Sequence, residues 1–165
     1  MKTKETVMRN HSKQMYLLDQ PASEHQILEE AAIIIEQRHL REGIYENPAA
    51  TKEFLNFKLH QHDREVFSVM LLDNQHQLIE YRELFFGTIN AASVYPREVV
   101  LAVLDAKASA VIFAHNHPSG ITEASQADIE ITKILTKALG LIDVRVLDHI
   151  VVGKDSTSFA ERGLL

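Results

Sequence analysis

The stretch "AVIFAHNHPSG", residues 110–120, decides how this 165-residue chain is expected to fold. Its first residues are apolar, as in a buried β-strand, and His115 and His117 follow one residue apart, directly before Pro118. Side chains on a strand alternate between the two faces of its sheet. We therefore expect both imidazoles on one face, at the carboxyl end of a strand that Pro118 terminates.

A second polar group, "SQAD" at residues 125–128, follows His117 after seven intervening residues. Taken alone, Ser125 and Asp128 are typical of a helix cap, with the serine as N-cap and the acid at the third helical position. Next to the histidines, Asp128 also offers a third metal ligand, because the turn at residues 118–120 lets the helix fold back over the strand end. Imidazole nitrogens bind zinc at ~2.0–2.1 Å, and rings at positions i and i+2 can reach one ion.

The segments on either side of this stretch predict an α/β domain with a mixed sheet flanked by helices. Two β-rich runs, about 65–72 and 77–86, surround the polar "DNQHQ" and predict an antiparallel hairpin. Pro96 begins a predicted helix, which leads into the histidine strand and implies a parallel crossover. A helix in "SQADIEITKILTKALG" and a strand in "LIDVRVLDHIVVG" follow.

The sequence divides into three parts before any resemblance is considered. Residues 1–20 are polar and without periodicity, which predicts a mobile tail. Residues 21–46 contain one amphipathic helix, and the main domain is expected to span residues 47–165, starting with a second helix at Pro48.

Composition limits the kinds of site that the chain can carry. It has no cysteine, so disulfides, thiolate zinc sites and cysteine nucleophiles are excluded, and a metal must be held by His, Asp or Glu. The net charge is −6 with scattered Lys and Arg, which argues against general nucleic-acid binding. No apolar run approaches the ~20 residues of a membrane span, so we expect a cytoplasmic protein without membrane contact.

Taken together, "HNHPSGITEASQAD" resembles the H-x-H-x7-S-x2-D signature of the JAMM (MPN+) metalloprotease domains. The flanking stretches "GTINAASVYPREVV" and "VLDHIVVG" resemble the RadC family of bacterial JAB-domain proteins. The resemblance extends over roughly residues 49–165. It implies a JAB/MPN fold, with an architecture similar to that of the cytidine deaminases.

The same resemblance implies roles for the signature residues. One zinc ion per chain is expected to be held by His115, His117 and Asp128, with a water in the fourth position. The hydroxyl of Ser125 is expected to face the reacting carbonyl. Three protein ligands and an open position are also what catalytic zinc requires on chemical grounds.

JAMM domains add a glutamate from an earlier strand as general base, and this chain offers two candidates. Glu65 lies at the start of the first strand of the hairpin and fits the family pattern better, while Glu83 on the second strand is the alternative. His149 is expected to be either a hydrogen-bonded core histidine or a residue that orients a metal ligand by contacting it on the side away from the metal. Asn116, on the face opposite the ligands, is expected to hold a loop.

The resemblance implies a zinc-dependent metallopeptidase or isopeptidase that hydrolyses an amide bond in a peptide or protein substrate through a metal-activated water. The alternative is a RadC-type protein associated with DNA repair, or a scaffold without significant peptidase activity. Longer RadC proteins are similar to a helix-hairpin-helix module joined to a JAB domain, whereas residues 22–46 supply one helix and no G-x-G hairpin. The sequence therefore predicts a short form that lacks this module, which argues against direct DNA binding.

A zinc nucleobase deaminase is excluded, because such enzymes need H-x-E and P-C-x-x-C, and this chain has no cysteine. The sequence gives no prediction of oligomeric state.

Overall fold

A computed structural model describes residues 23–42, 48–87 and 93–165, so the predicted tail at residues 1–20 lies outside the described residues. The helices in these ranges are α1 (Glu24–Glu42), α2 (Pro48–Leu59), α3 (Pro96–Asp105), α4 (Gln126–Gly140) and α5 (Phe159–Arg162). The strands are β1 (Val66–Leu72), β2 (Leu78–Phe86), β3 (Ala110–Asn116), β4 (Arg145–Val152) and β5 (Ser156–Ser158).

The strands form one mixed sheet in the order β2-β1-β3-β4-β5, as the α/β prediction requires. β1 is antiparallel to both β2 and β3, β4 is parallel to β3, and β5 is antiparallel to β4. The predicted hairpin is confirmed. Its turn is stabilised by the Asp73 carboxylate, whose Oδ1 accepts hydrogen bonds from the amides of Gln75 at 2.8 Å and Gln77 at 2.9 Å.

The crossover through α3 differs in one respect from the simplest arrangement. β2 and β3 run parallel, as predicted, but β1 lies between them. The short hairpin keeps β1 beside β2, and the other edge of β1 is free to pair with β3. In contrast, the crossover through α4 joins two neighbouring parallel strands, β3 and β4.

Helices cover both faces of this sheet, and β1 and β3 at its centre are buried along their whole length. On one face, here called the α4 face, Phe67, Val111 and Phe113 pack against α3 and α4. On the other face, here called the α2 face, Met70 and Ile112 pack against α2. Burial of this apolar surface is the main stabilising contribution to the fold.

α3 and α4 begin in ways that the sequence predicts. Pro96 occupies the first turn of α3, where its missing N–H costs nothing. Ser125 is the N-cap of α4, and its hydroxyl accepts a hydrogen bond from the amide of Asp128. This cap places the start of α4 against the carboxyl end of β3, which brings the two polar motifs together.

Candidate metal centre

His115 and His117 lie at the end of β3, on the α4 face as strand alternation predicts. His115 is fully buried, and its ring stacks on Phe67 with 6.5 Å between ring centroids. His117 follows the last strand residue and keeps a small exposed fraction. The two Nε2 atoms are 3.0 Å apart, so both rings point to one place.

Asp128 reaches the same place from the first turn of α4. Its Oδ1 is 3.3 Å from Nε2 of His115, and its Oδ2 is 3.7 Å from Nε2 of His117. A tetrahedral ion with bonds of ~2.0–2.1 Å holds its ligand atoms about 3.3 Å apart. The spacing of these three side chains therefore fits a metal ion, and the three predicted ligands are brought together.

Ser125 holds the Asp128 carboxylate in this orientation. Its amide and its hydroxyl both donate to Oδ2 of Asp128, each at 2.7 Å, and its oxygen accepts from the Asp128 amide at 3.1 Å. The predicted capping pair is thus present, and Asp128 serves the cap and the ligand cluster together. With Oδ2 occupied by Ser125, Oδ1 faces His115.

The protonation of Asp128 suits metal binding. Burial alone would raise the pKa of this carboxyl, but the hydrogen bond and charge of His115 and the hydrogen bonds from Ser125 outweigh burial and lower it well below its usual range. The carboxylate is therefore ionised at neutral pH, which is the form that coordinates a cation.

Each histidine is oriented by a hydrogen bond on its second nitrogen. Nδ1 of His117 donates to the carbonyl oxygen of Ile121 at 2.8 Å, which leaves Nε2 as the unprotonated atom facing Asp128. Nδ1 of His115 is 2.8 Å from Nε2 of His149. In histidine metal sites the ring nitrogen that does not bind the metal usually makes a hydrogen bond of this kind, which orients the ring.

His149 is a hydrogen-bonded core histidine, which is one of the two roles that the sequence left open for it. It is completely buried on β4, and it contacts His115 directly. Its Nδ1 lies 2.6 Å from the hydroxyl oxygen of Thr132, which donates to the carbonyl oxygen of Asp128 at 2.6 Å. Burial, reinforced by the neighbouring His115, holds the pKa of His149 well below its usual value, so the ring is neutral.

The two candidate glutamates lie on different faces of the sheet. β1 and β3 pair with Phe67 opposite His115, and this register, if continued beyond the ends of both strands, predicts Glu65 opposite His117 on the α4 face. Glu83 pairs with Ser68 on the α2 face, where its carboxylate is 2.9 Å from Nε2 of His62. The sheet therefore separates Glu83 from the three ligands.

Asn116 holds the segment that carries Glu65. Its Oδ1 accepts from the amide of Val66 at 2.7 Å, and its Nδ2 donates to the carbonyl oxygens of Arg64 at 3.0 Å and His62 at 3.3 Å. We expected Asn116 to hold a loop; the segment that it holds is the one entering β1. The backbone is fixed on both sides of Glu65 by a residue that stands between the two histidine ligands.

A cleft of about 450 Å³ opens beside His117. Its walls come from the end of α2, the turn after β3 and the end of β4. They include His60, Asp63, His117, Ser119, Gly120 and Lys154. Of the three ligand residues, His117 lines this cleft, which lies at the ends of β3 and β4 on the side of α2.

Gly153 carries a prediction about the loop that holds His117. A Cβ at this position would lie 2.6 Å from the carbonyl oxygen of Gly120 and 2.8 Å from Cγ2 of Thr122. Gly153→Ala must therefore displace the loop between β3 and α4, and we expect it to lower the free energy of unfolding by about 1–3 kcal/mol. Urea unfolding measures this change.

The matched control for that substitution is Gly140→Ala at the end of α4, where a Cβ meets nothing within 4 Å. Alanine is expected to raise the free energy of unfolding there by about 0.5–1 kcal/mol, because glycine is the poorer helix former. Equal effects of the two substitutions would contradict the close approach at Gly153.

Two contributors to the cluster were not expected from the sequence. Thr132 stands four residues after Asp128, one helical turn away on the same side of α4, and that spacing is a signal that could have found it. The contact from His117 uses the main-chain oxygen of Ile121, which has no sequence signature.

Comparisons with known proteins identify a family and several relatives that are similar in sequence. A family model for the RadC-like JAB domain matches residues 45–164. Two UPF0758 proteins of Vibrio cholerae serotype O1 are similar to the chain: one is 57% identical over 158 residues, 96% of this chain and 100% of its own length, and the other is 59% identical over 150 residues, 91% and 96% respectively.

A UPF0758 protein of Marinobacter nauticus is 58% identical over 120 residues, which are 72% of this chain and 54% of that longer protein. The names of these relatives state no substrate or activity.

Among the described residues, no helix combines the length and apolar character needed to cross a membrane.

Proposed function

The chain belongs to the RadC-like JAB domain family, and on this premise we propose that it is a zinc-dependent peptidase or isopeptidase. The observation that carries the proposal is the convergence of His115, His117 and Asp128, with ligand atoms 3.0–3.7 Å apart. The reaction class is hydrolysis of an amide bond in a peptide or protein.

The ligand set supports zinc as the metal. Two imidazoles and one carboxylate are a common set for catalytic zinc, and such sites leave a fourth position open. A bound zinc ion would polarise the substrate carbonyl and lower the pKa of a water toward ~7. Asp128 brings the only negative charge among the three ligands, so the charge of the ion is partly neutralised while its Lewis acidity remains.

Glu65 is the proposed general base and acid. The β1–β3 register, continued past the last paired residues, predicts Glu65 opposite His117 on the face that carries the three ligands, which supports this role. A carboxylate there can accept a proton from the attacking water and return it to the leaving amine. Asn116 supports this role, because its hydrogen bonds hold the backbone on both sides of Glu65.

Ser125 is proposed to stabilise the oxyanion. The residue is exposed at the rim of the ligand cluster, and its hydroxyl donates to Oδ2 of Asp128 in the absence of substrate. Rotation of that O–H turns the proton toward an oxygen that gains negative charge in the transition state. The cleft beside His117 offers space for the substrate chain.

The proposal is tested by digesting a peptide library with the zinc-loaded protein in water enriched in ¹⁸O. Hydrolysis adds one water, so each new carboxyl group is expected to carry one ¹⁸O atom. A chelator should stop the reaction and added zinc should restore it. Failure of the zinc-loaded protein to cleave any peptide or isopeptide-linked substrate would contradict the proposal and favour a scaffold role.

A further inference from the structure

A chain of buried hydrogen bonds runs from His115 through His149 and Thr132 back to Asp128. We infer that His149 and Thr132 are positioning residues that determine which nitrogen of His115 is free to bind a metal ion. The inference rests on the metal site of the proposed function, but not on peptidase activity.

The carbonyl oxygen of Asp128 determines which atom donates and which accepts in each of these hydrogen bonds. A carbonyl oxygen only accepts, and the hydroxyl oxygen of Thr132 lies 2.6 Å from it, so the single hydroxyl proton of Thr132 must point there. Nδ1 of His149 is also 2.6 Å from that hydroxyl oxygen. Thr132 has no second proton to give, and Nδ1 of His149 must therefore be the donor.

The next step fixes the proton on His115. A neutral imidazole carries one N–H, so with Nδ1 of His149 protonated its Nε2 is an acceptor. That atom is 2.8 Å from Nδ1 of His115, which must then carry a proton. Nε2 of His115, which faces Asp128 and His117, is then the nitrogen whose lone pair a bound metal ion would use.

Among the described residues, aromatic rings surround the imidazole of His149. Its ring is enclosed by Phe67, Phe113 and Phe159, with ring centroids at 5.6, 6.0 and 4.7 Å. The residue has no exposed surface, so bulk water cannot replace a lost hydrogen bond. The series of hydrogen bonds ends at the main-chain oxygen of Asp128. One proposed metal ligand therefore sets the tautomer of another.

Thr132→Val tests the inference, because valine keeps the shape of threonine and removes its hydroxyl. Without that acceptor, Nδ1 of His149 no longer needs its proton. His149 can then become a donor toward His115, which moves the proton of His115 to Nε2 and blocks the metal ligand. We expect zinc affinity, measured by competition with a chromophoric chelator, to fall about 10–100-fold.

The matched control is Thr136→Val. The Thr136 hydroxyl donates to the carbonyl oxygen of Thr132 at 2.8 Å, which is the same type of contact one turn later. It takes no part in the chain to His115, so zinc affinity should stay within about twofold of wild type. Equal affinities of Thr132→Val and Thr136→Val would overturn the inference.

A second pair of variants separates positioning from packing. The amide of glutamine can accept from His115 and donate toward Thr132, whereas leucine can do neither. We expect zinc affinity in the order wild type, His149→Gln, His149→Leu. An equal loss in both variants would assign His149 a packing role only.

The ring nitrogens themselves can be observed by ¹⁵N NMR of the metal-free protein. The expected spectrum shows His115 protonated at Nδ1 and His149 protonated at Nδ1. A proton on Nε2 of His149 would overturn the inference even if zinc binds. Failure of the wild type to bind zinc would instead contradict the proposed function, and the NMR result would still decide the tautomer.

Discussion

Glu65→Gln is expected to abolish amide hydrolysis while zinc stays bound. Glutamine has nearly the same shape as glutamate, but it cannot accept a proton from the attacking water or return one to the leaving amine. General acid–base groups contribute about 10²–10⁴-fold to rate, and we expect a loss in kcat of that size. Steady-state kinetics on a cleaved peptide measure kcat and KM, and elemental analysis of the same sample measures zinc.

Glu83→Gln is the control for this prediction. Glu83 lies on the α2 face and its carboxylate is 2.9 Å from Nε2 of His62, so kcat should change little. Loss of turnover in Glu83→Gln, with activity kept in Glu65→Gln, would show that the general base is assigned to the wrong residue.

Removal of a proposed ligand should have the second large effect. Wild type is expected to contain about one zinc per chain, and His117→Ala and Asp128→Ala almost none, because two remaining ligands do not complete a catalytic site. Asp128→Asn adds a finer test, since an amide oxygen can still accept from Ser125 and preserve the cap while the negative charge is lost. Its zinc content should also fall.

The substitution of a histidine needs a control at a histidine outside the ligand cluster. His60 is exposed at the end of α2, and His60→Ala should keep the zinc content of wild type. Equal zinc content in wild type, His117→Ala and Asp128→Ala would mean that the metal binds elsewhere or nonspecifically.

The ligand cluster could be predicted from the sequence because short-range rules place each part of it. Strand alternation puts His115 and His117 on one face, and the capping pattern puts Asp128 in the first turn of a helix. Pro118 ends the strand between them, so only a short loop separates the two motifs. The structure brings the three side chains together as these local rules require.

The face on which Glu83 lies could not be predicted, because it depends on an irregularity in the strand pairing. Phe67 pairs with Phe85, but the next residue, Ser68, pairs with Glu83. Regular alternation counted from Phe85 would put Glu83 on the α4 face. The β2 residue between Phe85 and Glu83 has no partner on β1, and this bulge moves Glu83 to the α2 face. A bulge of this kind has no reliable local signal, and the choice between Glu65 and Glu83 depends on it.

The link from His115 through His149 to Thr132 was also beyond the sequence. These residues belong to β3, β4 and α4, and their contact follows from the pairing of Phe113 with His149 in the sheet. A sequence pattern gives the face of each residue on its own element, but not the register between neighbouring strands. The resemblance to a family indicates which motifs matter, without the hydrogen bonds that orient them.

The central claim is a zinc site made by His115, His117 and Asp128. X-ray data collected on both sides of the zinc absorption edge, from crystals of the zinc-loaded protein, test it most directly. We predict one anomalous peak, about 2.0–2.2 Å from Nε2 of both histidines and from a carboxylate oxygen of Asp128. Absence of a peak there, or a peak at other side chains, would contradict the account.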